Sequence, residues 1–419
     1  MTAFRFFLIL VIFALACAAW WALGGTVYWR TGSLRDQLSE QVDSSWGPAN
    51  LSQPVPYLGA NAERAAPVDP LASNIKVHLE HENRYKGLLW FSTYTVDFAG
   101  TYTVKAGPAA STFIFALPAG VPFMDNLSLA LDGEPLDADS KQVGNRFLVP
   151  IPADEKTHTV ALTYRTRGRD RWSYVTAREP AQPAHLLDFS LEVTTNFRAI
   201  DYPEGRMPPS KKAEPADGGV RAVWKITDSR TSQSIAVDTP AREDAGPIAS
   251  RMALYAPVGL FFFFTVLFTV MLLKKVPLHP MHYLQISAAF FAFHILLAYL
   301  ADHIDIHRAF WISAAVSVFL VVSYMRLVAG VRFAVAYVGL AQLVYLIGFS
   351  YAFFFVGWTG LSIVVVAIIT LFILMQATGR VDWNTVFKKG PAARAGEDVW
   401  TNVASPSPPS PPPASPPAK

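Results

Sequence analysis

The stretch ALYAPVGLFFFFTVLFTVMLL, residues 253–273, decides how the rest of the chain is read, because it is apolar throughout and stops at Lys274-Lys275. A helix rises about 1.5 Å per residue and the hydrocarbon core of a bilayer is about 30 Å thick, so roughly 20 apolar residues cross it. Four more such runs follow before Gln376. They are separated by Asp302 to Arg308, by Arg326 to Arg332 and by Gly357-Trp358-Thr359-Gly360, which places spans at about 253–273, 282–300, 309–327, 332–352 and 357–377. Toward the amino terminus, Phe6 through Tyr28 is another uncharged run, roughly 34 Å long as a helix. A cleaved signal peptide has an apolar region of only about 7 to 15 residues. Here the run continues through Ala18, Trp20, Trp21 and Leu23, so a retained anchor over 1–28 is expected.

The composition agrees with a chain that lies partly in lipid: 52% of the 419 residues are hydrophobic and only 16% are charged. With 35 basic and 32 acidic residues the charge is nearly balanced, so no global field argues for nucleic acid as a partner. The single cysteine, Cys17, excludes an intramolecular disulfide framework and a cysteine-rich zinc module. Basic residues near helix ends (Arg5, Lys274, Lys275, Arg326, Arg332 and Arg380 among them) fall on one side of the threading, which predicts that side to be cytoplasmic. Arg30, Arg35, Arg251 and Arg308 fall on the other, so the bias is incomplete. Both termini are then inside and residues 29–252 outside, which in a bacterium means the periplasm.

That external segment carries a pattern of period two. Ile75, Val77 and Leu79 alternate with Lys76, His78 and Glu80, and Tyr94, Val96 and Phe98 alternate with Thr95, Asp97 and Ala99, as half-buried strands require. Further runs at 112–117, 127–131, 146–151, 157–165, 187–195, 220–227 and 233–237 are punctuated by turn chemistry such as Asp132-Gly133 and Asp217-Gly218-Gly219. Many short punctuated strands predict an antiparallel sandwich rather than a parallel sheet. Ahead of them Leu34, Leu38, Val42 and Trp46 form a narrow apolar stripe on a helix leaving the membrane, which is expected to pack on the sandwich. Residues 203–219 read as an exposed loop. The Pro/Ser-rich stretch at the end of 378–419 cannot build a core and reads as disordered.

The expected fold class is thus a membrane protein of α plus β type: six transmembrane helices, one amino-terminal and five carboxy-terminal in 253–377, with an antiparallel β-sandwich-like periplasmic domain over 29–252. The chemistry is sparse. There is no phosphate loop, no His-Glu-x-x-His helix and no Gly-x-Ser-x-Gly elbow. His282 and His303 stand at opposite ends of one span, roughly 31 Å apart, too far to share a metal. Two groups remain as candidates. His294 lies near the middle of a span with Gln342 at comparable depth on another, so an interhelical contact or a polar path is conceivable there. Asp302, His303, Asp305 and His307 form an outer-loop cluster that could hold a divalent ion. A polar loop pairing Asp305 or Asp302 with Arg308 accounts for the same residues without a ligand. No catalytic residue, cofactor site or metal site is predicted.

From Leu278 onward the chain resembles the CreD family of bacterial inner-membrane proteins. Leu278-His279-Pro280-Met281-His282-Tyr283-Leu284 is similar to the family's His-Pro-x-Gln-Tyr-Leu, with His282 in place of glutamine. Ala301-Asp302-His303, Gly348-Phe349-Ser350-Tyr351 and Thr378-Gly379-Arg380-Val381-Asp382-Trp383 resemble further family motifs. Ser45-Trp46-Gly47-Pro48, Lys86-Gly87 through Tyr94-Thr95, Thr195-Asn196-Phe197 and Ala222-Val223-Trp224-Lys225-Ile226 do so in the external segment. The chain departs from the pattern in a shorter external segment, in Gly357-Trp358 where an acidic pair is expected, and in its proline-rich tail. The resemblance implies a non-enzymatic inner-membrane protein contributing to cell envelope integrity or stress tolerance. Its partners would be membrane lipid and envelope proteins or cell wall. A transporter or flippase-like activity through His294, Gln342 and the outer loop, and an envelope-stress sensing accessory role, are the alternatives.

Overall fold

The computed structural model describes residues 3–60, 67–179, 182–213, 218–274, 276, 278–355 and 357–379. Six helices are long and apolar enough to cross a membrane: α1 (Ala3–Ser45), α2 (Ala245–Lys274), α3 (Pro280–Leu300), α4 (Ile306–Ala329), α5 (Val331–Phe354) and α6 (Thr359–Thr378). The anchor and the striped segment are therefore one unbroken helix. Its 43 residues reach roughly 64 Å, about twice the hydrocarbon thickness, so α1 crosses the bilayer and continues beyond it. The expected tail from residue 380 onward lies outside the described residues.

Small residues let the helices approach closely where α1 meets α2. A side chain at Gly24 would come within 2.7 Å of Leu254, and the Ser250 hydroxyl donates to the Gly24 carbonyl at 2.8 Å. Such close backbone packing replaces the hydrophobic effect as the organising force between helices in lipid. Helix α5 is not uniformly α-helical. It widens to π-type winding over Ala334–Gly339 and again over Leu343–Gly348, with Gln342 in the short α-helical turn between them.

Between α1 and α2 the chain builds the β domain. Its strands are β1 (Asn50–Pro54), β2 (Tyr57–Ala60), β3 (Ala72–Lys86), β4 (Leu89–Lys105), β5 (Ser111–Ala116), β6 (Asp125–Leu131), β7 (Glu134–Leu136) and β8 (Gln142–Val143). They continue with β9 (Arg146–Ile151), β10 (Thr157–Arg169), β11 (Arg171–Val175), β12 (Ala177–Glu179), β13 (Gln182–Thr195), β14 (Lys211–Ala213), β15 (Arg221–Thr231) and β16 (Ile235–Asp238). A nine-stranded sheet runs β14-β15-β13-β3-β4-β10-β6-β7, with β12 beside β13; smaller sheets run β2-β5-β9-β8 and β1-β11-β16. The sheets are mostly antiparallel, as expected, with two parallel pairings, β1 with β11 and β3 with β13.

One hydrophobic cluster joins all three sheets. Ile75, Val77 and Leu79 of β3 point into it in alternation, as do Val96 and Phe98 of β4. Phe98 meets Phe115 across the sheets, and within its own sheet it stacks on its β10 partner Tyr164 at 4.8 Å, a stacked geometry of the kind that adds about 0.5 to 1.5 kcal/mol per aromatic pair. Of the expected loop 203–219, residues 214–217 lie outside the described residues, and the part before them is not simply a loop. Met207 is held by a backbone bond to the Ser234 carbonyl and accepts from the Trp224 indole, and β14 pairs with β15.

Candidate functional site

His294 sits on α3, 3% exposed, with its ring edge-on to Trp20 of α1 at 5.6 Å and to Phe293 at 4.8 Å. Its Nδ1 lies 3.1 Å from the Phe290 carbonyl one turn back, where a protonated nitrogen donates. Gln342 is fully buried, and its Nε2 donates to Ser317 Oγ of α4 at 3.0 Å. The Ser317 hydroxyl in turn donates to the Ala289 carbonyl of α3 at 2.8 Å. The polar chain thus runs α5 to α4 to α3. Gln342 is bonded to Ser317 and not to His294, so the structure does not join the expected pair by a hydrogen bond. Ser313, one turn before Ser317, is also fully buried; its Oγ, His294 Nε2, Gln342 Oε1 and Trp20 Nε1 have no partner among the described residues.

The outer-loop residues are distributed among structural roles. Asp302 pairs with Arg30 of α1 at 2.8 Å. Asp305 caps α4, accepting from the backbone N–H of His307 at 3.0 Å, and Arg242 approaches it to 3.9 Å. The expected partner, Arg308, is replaced by arginines from distant segments because the loop faces α1 and the strand-to-α2 connection. His307 lays its ring on Phe354 at 4.4 Å, and His303 is exposed. Among the described residues no group of three or more His, Cys, Asp or Glu side chains is placed to hold a metal ion.

A third constellation, Arg242-Glu243-Asp244 immediately before α2, does not stand out in the sequence. Asp244 has a side chain only 1% exposed. One oxygen accepts from the Trp90 backbone N–H at 2.8 Å and the other pairs with Arg35 of α1. Arg242 covers the Trp90 ring at 4.3 Å, and Arg251 pairs with Glu243. Trp90 begins just past the hairpin tip between β3 and β4. Gly87 at that tip has φ +63 and lies where a side chain would strike Leu38 of α1 at 2.9 Å, so only glycine fits both turn and contact. The stripe on α1 packs here, with Leu34, Leu38 and Val42 against Leu89 and Phe91. Trp46 closes the contact between the guanidinium groups of Arg84 at 3.8 Å and Arg167 at 4.4 Å.

At the other end of the β domain His158 bridges two carboxylates, Asp132 at 2.7 Å and Asp154 at 3.0 Å. The hydrogen bond with Asp132, then that with Asp154, raises the imidazole above its ordinary range; the same bonds hold both carboxyls below theirs. Asp132 and Gly133 both have positive φ, the backbone of a tight hairpin turn, and this presents the carboxylate to β10.

These features define a multi-spanning membrane protein with one β-rich domain inserted between its first two long helices. Residues 219–384 match the model of the family described as inner membrane protein CreD, so the resemblance read from the motifs holds over that stretch. No curated protein matches the chain. A crystal structure of Legionella pneumophila aminopeptidase A in complex with aspartic acid is similar at 10% identity and a TM-score of 0.24, over 44% of this chain and 23% of that one. The chain thus spans about a quarter of that structure's length, and the likeness bears on neither fold nor activity.

Proposed function

We propose that this chain is a non-enzymatic inner-membrane protein of the cell envelope, in which a periplasmic β domain is clamped to the bundle and supports envelope integrity under stress. The observation that carries the reading is the Asp244 node. It ties α1, the β3–β4 hairpin and the start of α2 through one buried carboxylate. The continuous α1 adds a strut that runs from the membrane onto the sheet. The orientation draws support from the ends of the bundle. Arg30, Arg35 and Arg251 near the β domain each have a carboxylate partner. The opposite end carries Lys274, Arg326 and Arg332 and, among the described residues, no Asp or Glu, the asymmetry expected of a cytoplasmic face.

The test is rescue of a deletion strain, scored by detergent sensitivity and periplasmic leakage at equal levels of inserted protein. Asp244→Ala should fail to rescue, and a His294→Ala, Gln342→Ala double variant should rescue. A second reading, a transporter or flippase-like protein, draws on the unpartnered polar atoms of His294, Ser313 and Gln342 inside the bundle. It requires the opposite pattern, with the double variant inserted but inactive.

A further inference from the structure

Helix α4 is flanked by two grooves that open toward the surrounding lipid. The first, about 860 Å3, lies between α4 and α5 over Ala314, Ala315, Val318, Ala336 and Gly339. The second, about 510 Å3, lies between α3 and α4 over Ala288, Ala289, Leu320 and Leu327. Small side chains leave room for them, Ala314, Ala315, Ala336 and Gly339 in the first and Ala288 and Ala289 in the second. Ser323 and Arg326 border both grooves, so the two troughs diverge from one cation. From Arg326 back to Trp311 the first groove follows α4 for roughly 22 Å, longer than the roughly 15 Å of one leaflet's hydrocarbon.

Among the described residues the charge at that end is uncompensated. There Arg326 makes no ion pair, Lys274 meets the Tyr337 ring at 5.3 Å, and Arg332 opens α5. No described carboxylate lies on this end of the bundle. Anionic lipid headgroups lie at this depth and can supply a partner for these cations.

We infer that α4 is straddled by one diacyl anionic phospholipid from the leaflet opposite the β domain, with its phosphate at Arg326 and one acyl chain in each groove. Two apolar troughs meeting at a single cation match the shape of a two-chain lipid, whereas a free phosphate or a single chain would use only part of the surface. Moving an acyl chain from bulk lipid into a groove gains no hydrophobic free energy, because lipid tails are as apolar as the groove walls. Selectivity therefore rests on the headgroup, and one interfacial arginine corresponds to about a fivefold preference for an anionic lipid. The inference rests on the membrane placement of the helices and not on the envelope role.

The full chain would be reconstituted in vesicles of phosphatidylcholine with one tenth phosphatidylglycerol, recovered by flotation, extracted in mild detergent and weighed by native mass spectrometry. Flotation reports the membrane placement separately from the lipid site. The wild type should retain one lipid per chain, enriched about fivefold in phosphatidylglycerol over the bulk ratio. Arg326→Gln, an exposed position, should retain lipid but lose the enrichment, and Arg308→Gln at the other end of α4 should keep it. Ala315→Phe with Ala336→Phe, both exposed, should lose the retained lipid whatever its headgroup. Enrichment that survives Arg326→Gln, or lipid retained in the filled double variant, overturns the assignment. So does a chain recovered as a dimer without lipid and made monomeric by filling the first groove, since a second copy would then be the occupant.

Discussion

Asp244→Ala should loosen the β domain from the membrane bundle without unfolding either part. The carboxylate is almost wholly buried and has two duties: it accepts the Trp90 backbone N–H at 2.8 Å, and it pairs with Arg35, whose side chain is 44% exposed. Losing a hydrogen bond to a charged acceptor costs about 1.5 to 3 kcal/mol, the more so when the donor left behind is shielded from water. The arginine end is worth less, roughly 0 to 1 kcal/mol, because the guanidinium can turn to solvent. The expected total is about 2 to 3 kcal/mol on local opening, which is roughly a 30- to 150-fold rise in the fraction of time the junction is open. Hydrogen exchange at Lys86–Phe91 and along the outer part of α1 reads that quantity directly. Asp244→Asn keeps an acceptor for Trp90 and should lie between wild type and alanine, while Arg35→Ala, which leaves the buried carboxylate without its cation, should open the junction at least as much as Asp244→Ala. Exchange at wild-type rates in Asp244→Ala, with the β3–β4 hairpin still protected, would refute the clamp.

Three further outcomes follow from the geometry. His158 is raised above its ordinary pKa of 6.5, so its stabilising contribution is complete below that value and is lost as pH rises through the folded-state pKa; Asp132 and Asp154 are lowered, so theirs is present above the ordinary carboxylate value of 3.8 and lost as pH falls through their folded-state values. Stability of the purified chain should therefore fall as pH rises above about 6.5, and His158→Gln should flatten that slope; an unchanged slope sinks the argument. In the bundle, Ser317→Ala should cost about 1 kcal/mol because it strands the Gln342 amide, whereas Gln342→Leu, which removes the polar group altogether, should be within about 0.5 kcal/mol of neutral; a denaturant series in mixed micelles distinguishes them. Gly24→Leu places atoms where Leu254 already sits 2.7 Å from an added carbon, so α1 and α2 should part, and a cysteine pair across that contact should cross-link in wild type but not in the variant.

What was legible in the sequence was whatever repeats along one element. The six spans announce themselves because each must supply about 20 apolar residues by itself. The stripe at Leu34, Leu38 and Val42 was readable for the same reason, and it packs where its spacing points, against Leu89 and Phe91. Strands β3 and β4 were readable only over Ile75–Glu80 and Tyr94–Ala99. Beyond Leu79 the outer part of β3 has no buried residue, since the hairpin projects past the core toward α1 and alternation is no longer required of it. Strand β1 was invisible for a different reason. Its inward position Gln53 is polar, yet fully buried, because its amide donates to the Pro54 and Ala116 carbonyls and its oxygen accepts from Tyr164. A buried glutamine with every group satisfied looks, in sequence, like a surface residue.

The polar sites resist sequence reading because their partners are chosen by tertiary packing. Asp302 has Arg308 close by in the chain but pairs with Arg30, and Asp244 draws on Arg35 and Trp90. Those choices explain why the count of basic residues left the orientation bias incomplete. Arg30, Arg35 and Arg251 near the β domain have their charge matched by acids that the fold brings to them. At the other end Arg326 and Arg332 have no such match among the described residues. The two ends therefore do different work with the same residue type. At one, arginine and carboxylate bind the protein to itself; at the other, arginine has no carboxylate partner among the described residues and, in the lipid site inferred above, meets the headgroups of the bilayer. Neutralising Arg35 should thus be felt as altered motion of the β domain in any lipid, whereas neutralising Arg326 should be felt only where anionic lipid is present.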